Sequence, residues 1–490
     1  MPKSEIHIYG PSSILKGEYP RLAIKEATSW AEPGAQFSPA FRRGVWDGRK
    51  HLFRAQNGSF PTGLVPTITK VLEEYNYDYV VHDYRQKPTP HIKHPRVGQF
   101  EMPTASMTGK YDYQLEVCEK MVNGMQGIVK LATNGGKTNI AAAVTQYLGL
   151  NTLFIVTTRE LLHQARKRFM SLLEVGEDQV GLVGDGIWEP GSWVTIATLD
   201  TLESRIDTKE CQELLKHTEV LFIDECHHAG SETWYTVATI CPAFYRFGLS
   251  GTPLDRTDGA NLRLIAACGD IIVNIPNKFL VDRGISAKAH IIFDKVTEPS
   301  LLADKTKHKY PSVYKKCVVE NVNLIQKVVE WAKVFRQLNM GTLILCEEIA
   351  HGRAIDDALW TKAGDVFLPH QFIHGNEDTD TRAQALSDFA SGNLPILVAS
   401  TILDEGVDVP TIDALILAGS RKSRIKTMQR LGRGLRGKQL VVVEFANFCH
   451  GFLLEHSKQR LLDYKSEDCF PIHKSAPSVD LVKKIMEETT

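Results

Sequence analysis

A chain of 490 residues, 43% hydrophobic and 23% charged, has the balance of a globular protein and the length of about three domains, which excludes disorder over most of it. Its formal net charge of -1 excludes a polycation, so any nucleic acid must be bound by local patches. Nine scattered cysteines without a C-x-x-C pair argue against a zinc site or a disulfide framework, and no run approaches the roughly 20 apolar residues of a membrane span. The N-terminus lacks the apolar stretch of a signal peptide. The expectation is a soluble protein of a reducing compartment, the cytoplasm.

Residues 1–110 carry 15 Lys/Arg against 10 Asp/Glu, so a basic module precedes a mildly acidic body. At its centre, Phe41–Arg54 sets five Lys/Arg against one Asp, interleaved with aromatics. That composition suits phosphate contacts from Arg42, Arg43, Arg49 and Lys50. Trp46 reads either as a stacking platform or as a core residue.

From about residue 126 short apolar runs alternate with segments of helical period. Gly127–Leu131, Thr152–Val156, Val194–Ala197, Val220–Ile223 and Phe247–Leu249 read as strands, with Glu160–Leu173 among the helices between them. The texture restarts with strands at Thr342–Leu345, Gln371–Ile373, Ile396–Val398, Ala414–Leu417 and Leu440–Val443, and helices at Arg382–Phe389 and Ser423–Arg433. Two α/β units with parallel sheets are predicted, joined by a less regular stretch at 275–320, with a frayed or helical tail at the end. The boundaries expected are 1–105, 106–283, 284–470 and a tail at 471–490.

The first strand runs into Leu131-Ala-Thr-Asn134-Gly135-Gly136-Lys137-Thr138. Glycines let backbone N–H groups close around phosphate oxygens, Lys137 supplies a cation, and Thr138 supplies a hydroxyl for magnesium. The first glycine of the strict loop pattern is replaced by Leu131. The strand Val220–Ile223 ends in Asp224-Glu225-Cys226-His227. One carboxylate there can hold a magnesium shell and its neighbour can orient the attacking water. Ser250-Gly251-Thr252 follows another strand, and Gln429-Arg430-Leu431-Gly432-Arg433-Gly434-Leu435-Arg436 comes late in the second unit. On a helix Arg433 and Arg436 share a face and can act on transition-state charge. Each element alone is weak; their joint order is not a coincidence. Cys226 has no evident base and reads as a buried inert thiol. His227 and His228 have no third ligand at metal spacing.

These residues resemble the motif set of superfamily 2 helicases and translocases of the D-E-x-H type, over about residues 105–450. The resemblance implies two tandem RecA-like domains that bind ATP between them and hydrolyse it with Mg2+. It implies that Tyr113 and Gln114 lie on the adenine side, although Tyr111 stands where a basic residue is usual. Asn134, Gly135, Gly136, Lys137, Thr138, Gly406 and Asp408 fall to the nucleotide, and Thr138 and Asp224 to the metal. Lys137, Asp224, Glu225, His227, Gln429, Arg433 and Arg436 fall to catalysis, with His227 coupling the ATP site to the Ser250 or Gln429 segment. Thr158, Arg159, Thr198, His374 and Thr401 fall to one DNA strand, held by its phosphates.

The G-x-W-D-G segment, with Gly58–Leu64, resembles the small N-terminal α+β module of phage recombination helicases of the UvsW type. Remodelling of branched or forked DNA in phage recombination, repair and replication is the implied task, by a monomer or an unspecified oligomer. The rivals are a translocating subunit of a restriction or repair complex, an RNA helicase, and a nucleic-acid-binding module without turnover.

Overall fold

The computed structural model describes residues 4–102, 104–105, 107–227, 232–254, 260–297, 309–361, 364, 366–400, 412–419 and 439–488. Two compact units, 1–275 and 276–490, share the chain.

The first unit opens with a four-stranded sheet in the order Ser59–Pro61, Ser12–Gly17, Ser4–Ile8, Tyr79–Asp83. Alternation along Ser4–Ile8 turns Ile6 and Ile8 inward, onto Ile24 of helix Arg21–Ala27 and onto Ile68 and Leu72 of helix Val65–Glu74. The expected α+β module is therefore present, but it is fused to the large-sheet domain rather than separate from it. Ala266, from helix Ala260–Cys268, lies in the module's own core. A Cβ on Gly63 would sit 2.2 Å from the carbonyl oxygen of Ile265 and 2.5 Å from that of Ala266, so only glycine permits this approach. The Arg263 guanidinium lies 5.0 Å from the centre of the Trp30 ring, and that of Arg85 lies 4.9 Å from Phe244.

Residues 86–101, expected to belong to the accessory module, form a strap over the next domain. His91 meets Glu219 at 2.6 Å, Arg96 meets Glu174 at 2.8 Å, and Phe100 stacks on Tyr147 at 4.1 Å.

Behind the strap is an eight-stranded sheet in the order Ile187–Glu189, Val180–Gly184, Val194–Thr198, Thr152–Val156, Val220–Asp224, Tyr245–Ser250, Gln126–Leu131, Ile271–Ile275. Every pairing is parallel except that of the first two strands. Several central strands are buried along their whole length, as a sheet covered on both faces requires. That is why their sequences read as unbroken Val/Ile/Leu/Phe runs.

The second unit holds seven parallel strands in the order His370–Ile373, Ile396–Ala399, Thr342–Leu345, Ala414–Leu417, Gln439–Asn447, Lys288–Val296, Ile472–Lys474. Two expectations need correction. The stretch 275–320 is not merely irregular: Lys288–Val296 is a nine-residue strand paired along its length with Gln439–Asn447. Lys288 at its start and Asp294-Lys295 near its end disguise its apolar centre. The helical alternative for the chain end holds, as Val479–Glu487, but 471–490 is packed rather than a tail, because Ile472–Lys474 adds a strand and the helix buries Val482 and Ile485. Residues 276–283, expected in the first domain, fall in the second unit, where Asn277 donates to Glu467 at 2.8 Å. The helix expected at Ser423–Arg433 lies outside the described residues. No described helix is long and apolar enough to cross a membrane.

Candidate nucleotide site and nucleic-acid surfaces

The phosphate-loop candidate joins the strand Gln126–Leu131 to the helix Lys137–Leu148. Asn134 and Gly136 both adopt left-handed backbone, φ +70° and +86°. These conformations curl the loop at the positive end of the helix dipole, with the Gly135 amide donated to the Ala132 carbonyl at 3.1 Å. Gly136 also has no space for a side chain, since a Cβ there would lie 2.3 Å from Nε2 of Gln114. Tyr113 donates its hydroxyl to the Gly135 carbonyl at 2.7 Å, and Gln114 donates Nε2 to the same oxygen at 3.0 Å. The two residues assigned to the adenine side therefore also brace the loop. The side-chain nitrogen of Asn134 is buried with no hydrogen-bond partner among the described residues.

Opposite the loop, the strand Val220–Asp224 ends in the carboxylate pair. Lys137 forms an ion pair with Glu225 and stands 4.0 Å from Asp224. Glu225 sits at φ +46°, a costly position for a glutamate, and this bend carries its side chain towards Lys137. The two neighbours titrate in opposite directions. Burial pushes the Asp224 carboxyl up to about 6, against the pull of Lys137. Burial also opposes charge on Glu225, but Lys137 and His227 outweigh it and hold that carboxyl below the usual range. For Lys137 burial is again outweighed, by Glu225 and Asp224, and the ammonium is held more firmly than usual.

His227 is buried, 3.4 Å from Glu225, and its Nδ1 is 3.0 Å from the Ser250 hydroxyl, which accepts from the Thr252 amide at 3.1 Å. A continuous polar path thus runs from the carboxylate pair to the Ser250-Gly251-Thr252 turn. Burial pushes the Cys226 thiol well up, consistent with an inert role.

The loop amides, the unpartnered Asn134 nitrogen and Lys137 fit a polyphosphate. The Thr138 hydroxyl and adjacent carboxylates are hard oxygen donors that suit Mg2+, which when bound neutralises phosphate charge. Among the described residues no group of three or more His, Cys, Asp or Glu side chains is placed to hold a metal ion by itself.

The candidate DNA contacts of the first unit gather near one edge. Thr158 caps the helix Arg159–Leu173, its hydroxyl accepting from the Leu161 amide at 3.3 Å. Arg159 is exposed and pairs with Asp185 at 3.4 Å, while the Thr198 hydroxyl is bonded to Thr201 at 2.9 Å and is mostly buried. Asp185 was missed in the sequence, although the Gly184-Asp185-Gly186 turn after an apolar run marks a strand end; it also holds His163 at 3.0 Å. His374, in the second unit, is half-buried and its amide donates to Glu377 at 3.0 Å. Thr401, Gly406, Asp408, Gln429, Arg433 and Arg436 lie outside the described residues.

In the N-terminal module, Arg42 and Arg43 are exposed. Arg49 is turned inward, donating to the Ser29 hydroxyl at 2.9 Å and to its carbonyl at 3.0 Å. Lys50 pairs with Glu32 at 3.5 Å. The Trp46 indole donates to the Arg49 carbonyl at 2.8 Å, so it braces this turn. Of the five residues expected to meet DNA here, Arg42 and Arg43 are the exposed ones, and each donates Nε to a backbone carbonyl, of Gln36 at 3.1 Å and of Pro39 at 3.2 Å.

Comparison with known proteins agrees with this arrangement. Residues 109–255 match the family model of the type III restriction enzyme res subunit, and 325–438 match the helicase conserved C-terminal domain. These matches support a superfamily 2 helicase or translocase, a nucleic-acid-dependent ATPase built on two RecA-like domains. Residues 9–82 match the N-terminal model of the DNA helicase UvsW, and within the superfamily the chain resembles that type. It is 24% identical to the ATP-dependent DNA helicase uvsW of Enterobacteria phage T4 over 84% of this chain and 83% of that protein. It is 26% identical to the DNA 3'-5' translocase XPB2 of Sulfurisphaera tokodaii over 67% of this chain and 78% of that one. The solved fragment of a putative HsdR subunit of a type I restriction enzyme from Vibrio vulnificus shares the fold, with a TM-score of 0.54 at 16% identity over 78% of this chain and 71% of that one.

Proposed function

We propose that the protein is an ATP-driven DNA translocase that remodels branched DNA, by branch migration, fork regression or unwinding of joint molecules in phage recombination, repair and replication. The observation that carries this reading is the coexistence of a nucleotide site with a UvsW-type module seated directly on the same unit. A translocase engine grips one strand by its phosphates and does not by itself select a branch. Selection needs a second surface away from that strand, and the module supplies one.

In the proposed cycle Lys137 binds the β/γ phosphates, Thr138 and Asp224 hold Mg2+ directly or through water, and Glu225 orients the attacking water. Its low proton affinity suits a group that must stay ionised. His227 passes the state of Glu225 to Ser250, while Arg433 and Arg436 stabilise transition-state charge and Gln429 serves the same catalytic segment. Thr158, Arg159, Thr198, His374 and Thr401 track phosphates, and Arg42 and Arg43 extend the electrostatic footprint.

The test is ATPase stimulation across forks, four-way junctions, duplexes, single strands and RNA. Branched DNA is expected to stimulate most. Equal stimulation by linear and branched DNA would remove the branch-specific reading, and preference for RNA would replace it.

A further inference from the structure

The outer face of the N-terminal sheet carries a feature that none of these roles uses. Alternation along the first strand puts Glu5, His7 and, just past its end, Tyr9 opposite the core residues Ile6 and Ile8. The parallel partner strand sets His82 beside His7 in register, and Tyr84 follows two residues later. Four rings result. His7 and His82 are 5.1 Å apart, His7 and Tyr84 5.8 Å with planes 2° apart, and Tyr9 and Tyr84 5.2 Å with planes 10° apart. The tyrosines are each 55% exposed, although burying such rings is worth more than showing them to water.

Backbone bonds fix their positions. The Tyr84 amide donates to the Ile8 carbonyl at 2.9 Å and the Tyr9 amide to that of Ser12 at 3.3 Å. His7 is held between the Tyr84 hydroxyl at 3.2 Å and Glu5 at 3.1 Å. Lys16, directly across from Glu5 in the neighbouring strand, is exposed, and the first 110 residues carry five more cations than anions. Arg85, next after the rings, lies on Phe244 at the start of the strand Tyr245–Ser250. This is the amino-terminal edge of the large sheet, opposite the edge that carries Asp224 and Glu225.

We infer that Tyr9 and Tyr84, the exposed rings of this cluster, form a stacking platform for an unpaired DNA segment, with His82 half-buried and His7 buried behind them as its support, distinct from the strand gripped by the RecA-like domains. A sheet face with parallel, exposed aromatics in a basic module suits bases, whose π-faces are alike, and gives binding without sequence preference. The identity of the ligand as DNA rests on the function proposed above. Stacking by the rings does not depend on the branch-specific part of that reading.

The experiment uses the full chain. A fork whose single-stranded arm carries 4-thiothymidine is photocrosslinked and the modified peptides are mapped, while affinity is followed by fluorescence anisotropy. Crosslinks are expected within residues 4–12 or 79–85. Tyr9→Ala with Tyr84→Ala should weaken binding of the armed fork by roughly tenfold or more, and Tyr9→Phe with Tyr84→Phe should restore most of it. The loss should be the same at low and high salt, because stacking releases few counterions. Stimulation of ATPase by a long linear single strand should stay at the wild-type level, which also reports that the variant is folded. If the alanine variant binds the armed fork as tightly as wild type, or crosslinks fall only elsewhere, the platform is excluded, even where wild type prefers forks. If the variant loses affinity for single strands while wild type shows no preference for forks, the platform stands and the branch-specific reading fails.

Discussion

The two RecA-like units are built on the same kind of parallel sheet but use their charges differently. In the first, Lys137, Asp224 and Glu225 sit at the carboxyl edge and all three side chains retain some access to solvent. In the second, the acidic residues of the adjacent strands Lys288–Val296 and Gln439–Asn447 are closed in. Glu444 is fully buried and bound by Arg460 at 2.9 Å, with the Tyr464 hydroxyl at 3.3 Å. Asp294 is held by Lys327 at 2.7 Å and by the Trp331 indole at 2.9 Å. A carboxylate at or just past the last residue of a strand, as Asp224 and Glu225 are, is available for chemistry, whereas one further inside the ladder is committed to packing. Position along the strand, rather than burial alone, separates the two uses.

That contrast can be broken most forcefully at Glu225. Glu225→Gln keeps size and polarity but removes the charge, and DNA-stimulated turnover should fall by roughly 10³-fold with ATP still bound. Single-turnover kinetics with a nucleotide-binding assay decides this, and turnover near wild type would remove its assigned role. Arg460→Ala should act on stability instead, by about 3–5 kcal/mol, because it leaves Glu444 buried without its counter-charge, with only the Tyr464 hydroxyl bonded to it among the described residues. Replacing Arg460 and Glu444 together with apolar residues should recover most of the loss in urea unfolding. A double variant as unstable as the single would mean that the pair does more than neutralise itself.

A smaller effect tests titration within the second unit. His351 is buried, neither ring nitrogen has a partner among the described residues, and burial lowers its pKa from 6.5 to about 4. Between those values the unfolded chain takes up a proton that the folded chain refuses, so stability falls as pH drops from 6.5 towards 4, by up to roughly 3 kcal/mol. His351→Leu should flatten that part of the pH–stability curve, read as the urea midpoint at each pH. The smallest change is expected from Arg263→Ala, which removes the cation over Trp30 and should cost about 0.5–2 kcal/mol. Hydrogen exchange should then quicken across residues 28–32, and unchanged protection there would show that this contact contributes nothing to the seam.

Much of the nucleotide site was legible in the sequence because its chemistry is local. Lys137-Thr138 and Asp224-Glu225 each lie at the end of an apolar run, and the fold only had to bring two such ends together. The strands of the large sheets were legible where both faces are covered. Lys288–Val296 was not, since lysines and an aspartate interrupt it, and the aspartate is neutralised by residues more than 30 positions away. The fate of Phe41–Arg54 was equally hidden. Composition counts cations, but whether Arg49 faces solvent or the Ser29 carbonyl is decided by the pairing of Ser29–Ala31 with Arg49–His51. The ring cluster of the outer sheet face escaped notice because Tyr9 and Tyr84 are 75 residues apart and meet only through a parallel register.

The seat of the N-terminal module on Gly63 has a mechanical consequence. With no room for one methyl group between that turn and the carbonyls of Ile265 and Ala266, the module has little freedom to pivot on the helix Ala260–Cys268. Tyr235, in the helix Glu232–Ile240, packs against both the module's core and the core of the large sheet, which adds a second fixed point. Two fixed points make a lever. A load applied to the module is delivered as torque to the two helices that come after the Asp224–His227 and Ser250–Thr252 segments, rather than lost in a linker. On the function proposed above, tension in DNA held by the module would reach the Asp224–His227 segment by this route, without passing through the strand gripped by the RecA-like domains.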